Sequence, residues 1–346
     1  MKTFIPLLAF AAWLFLAPDQ SHSNPQRQQQ YKEKLSDYGF FEGPLNTMKP
    51  TARLTEYFMN TPLFSDYAHK KRYIVLPEGQ KMKIKPDQTL DFPQGTMIIK
   101  TFYYPADFRK PEGQRRLLET RILYLEATGW TTLNYLWNEE QTEAYLDFAL
   151  HLIPVKWLDL QGKAREVEYQ VPNVSLCKVC HLKGKEVVPI GPVVSQLNRN
   201  LDNGKNQLQE WFDKGLLAEL PQKPEDLPKM VQWDDPKANL ELRARAWLDA
   251  NCSHCHAKTG SAGMSGLHLN YTETNPLALG IRKKPMTRSL MNEQYTHDIE
   301  PGKPEASILV YRIESHEPDI RMPKIACQLV HHEGLDLVKE WIRQMK

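Results

Sequence analysis

Cys177-Lys178-Val179-Cys180-His181 and Cys252-Ser253-His254-Cys255-His256 repeat one pattern, Cys-x-x-Cys-His, in the second half of the chain. This is the attachment signature of c-type haem. Two thiols one helical turn apart can form thioethers to the two vinyl groups of a porphyrin, while the adjacent imidazole reaches the iron. His accounts for 11 of 346 residues, so the chance that both Cys pairs are followed by His by accident is on the order of one in a thousand.

The alternatives for Cys177, Cys180, Cys252 and Cys255 are a four-thiolate zinc site or two reducible disulfides. Cys180 and Cys252 stand 72 positions apart, whereas compact zinc ribbons separate their pairs by about 15–20 residues. Zinc would also leave both histidines without a task. The expectation is therefore two covalently bound haem c groups per chain, with His181 and His256 as axial ligands of the irons.

A c-type iron commonly takes its second ligand from a downstream loop, and a methionine sulfur there raises the reduction potential. Met322, in Asp319-Ile320-Arg321-Met322-Pro323, has the right order after His256 and precedes an expected terminal helix; Met264, Met286 and Met291 are rivals. For the first haem the search reaches Met230 in Leu227-Pro228-Lys229-Met230, with His151, another side chain of the β-rich part, or an open position as alternatives. That choice separates an iron that only carries electrons from one that also binds ligands. Cys327 is the odd thiol, read as buried and inert, with an intermolecular disulfide as the alternative.

Outward from the motifs, 346 residues with 41% apolar and 25% charged content describe a globular chain of more than one unit, neither wholly disordered nor polytopic in a membrane. A net charge of +2 without long single-sign blocks argues against nucleic acid as a partner. Lys2, the apolar stretch Phe4–Ala17 and Ser21-His22-Ser23 read as a signal peptide over residues 1–23, too short in its apolar run to remain as a membrane span. Export to the periplasm or beyond permits covalent haem attachment, and the mature chain is expected to have no span.

Residues 31–170 are rich in aromatic and β-branched residues punctuated by Pro and Gly, with candidate strands at 72–76, 96–103, 117–125, 133–137 and 167–171. From Val174 onward the periodicity turns helical, over 207–217, 240–250 and 333–345, with a prolyl linker at 220–236. The expected fold class is multidomain α+β: a β-rich domain followed by mainly α-helical, cytochrome c-like haem domains, the first segment at 171–238 and the second at 239–346.

The stretch Asn251–His256, then Ser265-Gly266-Leu267-His268-Leu269, Pro301-Gly302-Lys303-Pro304-Glu305-Ala306-Ser307-Ile308-Leu309, Met322-Pro323 and Trp341-Ile342 resembles bacterial cytochrome c domains over residues 240–346. The resemblance implies that Met322 is the sixth iron ligand. Asn60-Thr61-Pro62-Leu63-Phe64-Ser65-Asp66-Tyr67-Ala68, Phe92-Pro93-Gln94-Gly95-Thr96, Pro189-Ile190-Gly191-Pro192 and Leu197-Asn198-Arg199 are similar to a family of exported bacterial dihaem c-type cytochromes of unassigned substrate. The first half also resembles β-sheet haem proteins in which a lysine at the position of Lys100 crosslinks to haem; the alternative for Lys100 is a solvated residue on an amphipathic strand. The expected function is electron transfer in the cell envelope, with unidentified redox proteins as partners. A haem enzyme with an open first haem, peroxidase-like or oxidising a small molecule, is the alternative.

Overall fold

The computed structural model describes residues 31–286, 294–325 and 327–346. The expected signal peptide at 1–23 and the rival ligand Met291 lie outside the described residues. Among the described residues, no helix is long and apolar enough to cross a membrane.

The largest element is a six-stranded antiparallel sheet made of β1 (Thr55–Glu56), β2 (His69–Val75), β3 (Met97–Pro105), β4 (Arg115–Glu126), β5 (Gly129–Trp137) and β6 (Ala144–Leu146). Its strands lie side by side in chain order, a meander in which each strand pairs with the next. A hairpin of β7 (His151–Leu158) and β8 (Ala164–Val171) follows.

Register fixes what each face of the sheet presents, because side chains alternate along a strand and directly paired residues share a face. Tyr73, Ile99, Ile122 and Leu133 are successive partners across β2 to β5. They bury against Leu35, Phe40 and Met48 from the preceding segment. On the opposite face, Ile74 and Ile98 pack with Leu123 against Val194, Leu197, Leu208, Trp211 and Leu217. The segment that carries the first motif thus shares a core with the sheet.

The helices are α1 (Val174–His181), α2 (Val194–Leu197), α3 (Gln207–Asp213), α4 (Leu240–Leu248), α5 (Ile308–Glu314) and α6 (His332–Arg343). Asparagines cap three of them: Asn173, Asn206 and Asn239 each accept a backbone N–H in the first turn of α1, α3 and α4. In α6, Leu335, Val338, Trp341 and Ile342 bury one stripe against Trp247 and Leu248 of α4. The two helices approach closely at Gly334, where a Cβ would lie 2.1 Å from Trp247 Nε1.

The expectation of mainly α-helical, cytochrome c-like haem domains is corrected here. The structure is 22% helix and 27% strand, and a large antiparallel sheet dominates it. The helices after Val174 are short, from 4 to 12 residues, and turns and 3-10 segments join them. Pro and Gly explain the shortness: α3 stops at Asp213 ahead of the left-handed Gly215, and Leu220–Pro236 yields only the 3-10 turn Pro224–Asp226.

The strap Asn60–Ala68 ties the parts together. Asn60 Nδ2 donates to Ser195 O and Asn198 O, each at 3.0 Å, and Thr61 Oγ1 donates to Val231 O at 2.8 Å. Phe64 N donates to Asn251 Oδ1 at 2.8 Å, and Asp66 Oδ1 accepts Gln328 N and Leu329 N, both at 2.7 Å. One nine-residue segment therefore fixes the sheet against both motif-bearing regions.

Candidate functional site

The first motif closes α1. Cys177, Cys180 and His181 occupy its last two turns, and the chain then reverses through the short hairpin Leu182–Lys183 with Glu186–Val187. This reversal brings Val188 over the helix end. Val188 N donates to His181 O at 2.8 Å, and His181 Nδ1 lies 2.7 Å from Val188 O. A carbonyl only accepts, so Nδ1 carries the proton and the Nε2 lone pair is left for a metal. Burial holds His181 neutral, its pKa lowered to about 4.

The second motif follows α4 through the π-helical turn Asp249–Ser253. His256 N donates to Cys252 O at 2.8 Å, which keeps the helical spacing of thiols and imidazole. Gly260 lets the next loop fold back, since a Cβ there would meet Cys255 O at 2.3 Å. The loop delivers Ser265 Oγ to 3.4 Å from His256 Nδ1, while Leu269 N donates to His256 O at 2.9 Å. Each motif histidine thus has its Nδ1 beside a partner from the chain that follows it.

The two motifs meet. Ligand atoms of Cys180, Cys255 and His254 lie within 4.8 Å of one another, and none of the five cysteines is in a disulfide. Contact with Cys180 lowers the pKa of the Cys255 thiol, and the same contact with burial raises that of Cys180. Burial pushes Cys252 up to about 12 and also raises Cys177. The ring atom His254 Nδ1 is buried without a hydrogen-bond partner.

A cavity opens from each motif. One, of about 310 Å³, is lined by Cys252, Cys255, His256 and Met322 with apolar Leu267 and Ile313 among others. The other, of about 470 Å³, is lined by Cys177, Cys180, His181 and Met230. Both fall in the size range of small-molecule and cofactor sites. Cys180 and His254 line both, so the cavities adjoin at the contact between the motifs. Each cavity therefore includes its own motif's two thiols and imidazole together with methionine sulfur, a donor set that suits a covalently held haem. The residues present fit that group twice.

Of the rival ligands, Met286 also lines the second motif's cavity, while Met264 is 93% exposed and outside it. His151 is held by Asp147, Nε2 to Oδ1 at 3.0 Å, and lines neither cavity. Met230, placed by sequence in a linker, is 2% exposed, and its N donates to Ser195 O at 2.8 Å. Cys327 is buried on the wall of the second motif's cavity, its pKa raised to about 12 by burial.

Sequence reasoning missed the sheet wall of the first motif's cavity. Arg72, Lys100, Arg121 and Asn134 all line it. Lys100 is not a solvated strand residue: burial, and then Arg72, lower its pKa well below the usual lysine range. Strand register was the missing signal, since each of these residues alone reads as solvent-facing alternation.

No family model matches the chain, and no curated protein or solved structure matches it.

Proposed function

We propose that this chain is an exported dihaem c-type cytochrome that transfers electrons between redox proteins of the cell envelope. The observation that carries the reading is the meeting of two Cys-x-x-Cys-His motifs, distant in sequence, at the boundary of two cavities that each hold a full donor set. A haem at each motif supplies a one-electron iron couple.

The chain's own residues would hold the groups as follows. Cys177 and Cys180 tether the first, and Cys252 and Cys255 the second. Val188 O fixes the tautomer and ring orientation of His181, and Ser265 Oγ, at 3.4 Å, stands beside His256 Nδ1 and helps orient that ring. Met322 and Met230 are the second ligands of this reading, each lining its motif's cavity, where Met286 and Met59 are the other methionines. The largely apolar wall of the second motif's cavity, with Leu267, Leu309, Ile313 and Val330, would exclude water there. The strap Asn60–Ala68 holds the motif-bearing regions in one frame.

The haem-enzyme reading has one observation in its favour: the first motif's cavity has a charged wall, from Arg72, Lys100 and Arg121, that could receive an anionic substrate. Carbon monoxide discriminates the two. Spectra of the haem-loaded protein, reduced with and without the gas, should not differ if Met230 and Met322 cap both irons. A shift in half of the haem would instead favour the enzyme.

A further inference from the structure

Arg72, Lys100 and Arg121 are consecutive cross-strand partners on β2, β3 and β4, and Asn134 on β5 continues the row. Paired residues share a face, so three basic side chains stand side by side on one strip of sheet, with Lys100 Nζ also 4.9 Å from the Phe102 ring centroid. The rows on either side are covered: Ile74 and Ile98 by α2 and α3, and Phe102 by Tyr169 of the hairpin. The cationic row itself is left as a wall of the cavity that holds Cys177 and His181.

One carboxylate answers three cations. Glu119, fully buried, takes Arg121 Nε at 2.8 Å and Tyr169 Oη at 2.7 Å. Arg72 and Lys100 have no carboxylate within ion-pair distance among the described residues. The acids that line the cavity are engaged elsewhere: Asp87 by Thr89 Oγ1 at 2.6 Å, and Asp249 by Tyr271 N at 2.8 Å. Charges drawn out of water without a partner are costly, and such a set persists where a ligand supplies the missing charge. Guanidinium and ammonium groups in a row suit carboxylate or oxyanion oxygens.

We propose that Arg72, Lys100 and Arg121 form an anion-binding wall that takes a carboxylate or small oxyanion in the cavity of the first motif. Two sources share this chemistry: a propionate of the first haem, which rests on the function proposed above, and a free anion, which does not.

The test uses the full chain matured with haem, counted by pyridine haemochrome, and the variants Arg72→Gln and Lys100→Gln. Formate and inorganic phosphate are titrated calorimetrically at low salt, and each haem's midpoint potential is followed against pH. If the wall serves a free anion, the wild-type chain binds formate or phosphate, and each variant weakens it about tenfold or more. If it serves a propionate, added anions do not bind; the variants then give the first haem a potential that changes with pH between about 5 and 8, where the wild type is flat. No anion uptake together with identical pH curves overturns the proposal. The wild-type titration stands even where a variant fails to fold. A chain without haem would refute the haem reading and leave the formate and phosphate titrations to decide the wall alone.

Discussion

The sulfur atoms of Cys180 and Cys255, one from each Cys-x-x-Cys-His motif, lie within 4.8 Å of each other. Thioethers formed at these two positions would place the attachment points of the two groups side by side. Two groups tethered so close together would suit electron exchange between them. This proximity also predicts that the two sites sense one another while remaining separable in attachment.

Separability is tested by paired substitutions. Cys177→Ala with Cys180→Ala should remove one haem per chain, and Cys252→Ala with Cys255→Ala the other, each halving haem absorbance per protein. Mass spectrometry of the intact chain reads the loss directly. Retention of both haems in either variant would remove that motif from the account.

Met322 should set the potential of the second haem. Replacing it by His exchanges a thioether for a stronger donor to ferric iron, and the midpoint potential should fall by on the order of 100 mV. Spectroelectrochemical titration checks this, with Met286→Leu as the comparison that should leave the potential in place. An unchanged potential in Met322→His would take that sulfur off the iron.

The C-terminal helix has a pH signature. Trp247 Nε1 donates to His331 Nδ1 at 2.8 Å, and Phe64 stacks on the same ring at 4.4 Å. Burial keeps His331 neutral, lowering its pKa to about 4. The unfolded chain binds a proton that the folded chain refuses, so this group's contribution is full above about 6.5 and declines as pH falls towards 4. Asp66, raised to about 6 by burial, acts in the opposite sense, favouring the folded chain at low pH. The difference between wild type and His331→Phe isolates the histidine. That variant should be less stable by about 1–3 kcal/mol at pH 7, because Trp247 loses its acceptor, and the gap should narrow between pH 6.5 and 4. Denaturant unfolding at several pH values measures it.

Gly334→Ala probes the packing of α4 against α6. The new methyl would press on the Trp247 ring at 2.1 Å from Nε1, a clash that the well-packed core can relieve only by shifting the helices. A loss of about 1–3 kcal/mol is expected, read as a lowered Tm. An unchanged Tm would mean that the helices can move apart freely.

The sheet was legible because Val, Ile and aromatic runs alternate between Pro- and Gly-marked turns. Five strands were found in sequence close to where they lie. β7 escaped because Pro154 interrupts it, tolerated in a hairpin that the larger sheet does not absorb. Residues 220–236 read as a linker from their prolines, yet Leu227 is 5% exposed in the sheet-side core and Met230 is 2% exposed on the wall of the first motif's cavity. Thiol and imidazole spacing is local, so both motifs were visible in the sequence. Their contact and the cationic row are tertiary facts, produced by strand register and by the strap at Asn60–Ala68, and no local pattern encodes them.

Haem stoichiometry tests the central claim most directly. The protein, expressed with a c-type maturation system and counted by pyridine haemochrome against protein concentration, should contain two covalently bound haems per chain. The chain with Cys177, Cys180, Cys252 and Cys255 all changed to Ser should lose the absorbance of firmly attached haem. One haem per chain would confine the account to a single motif, and none would contradict it.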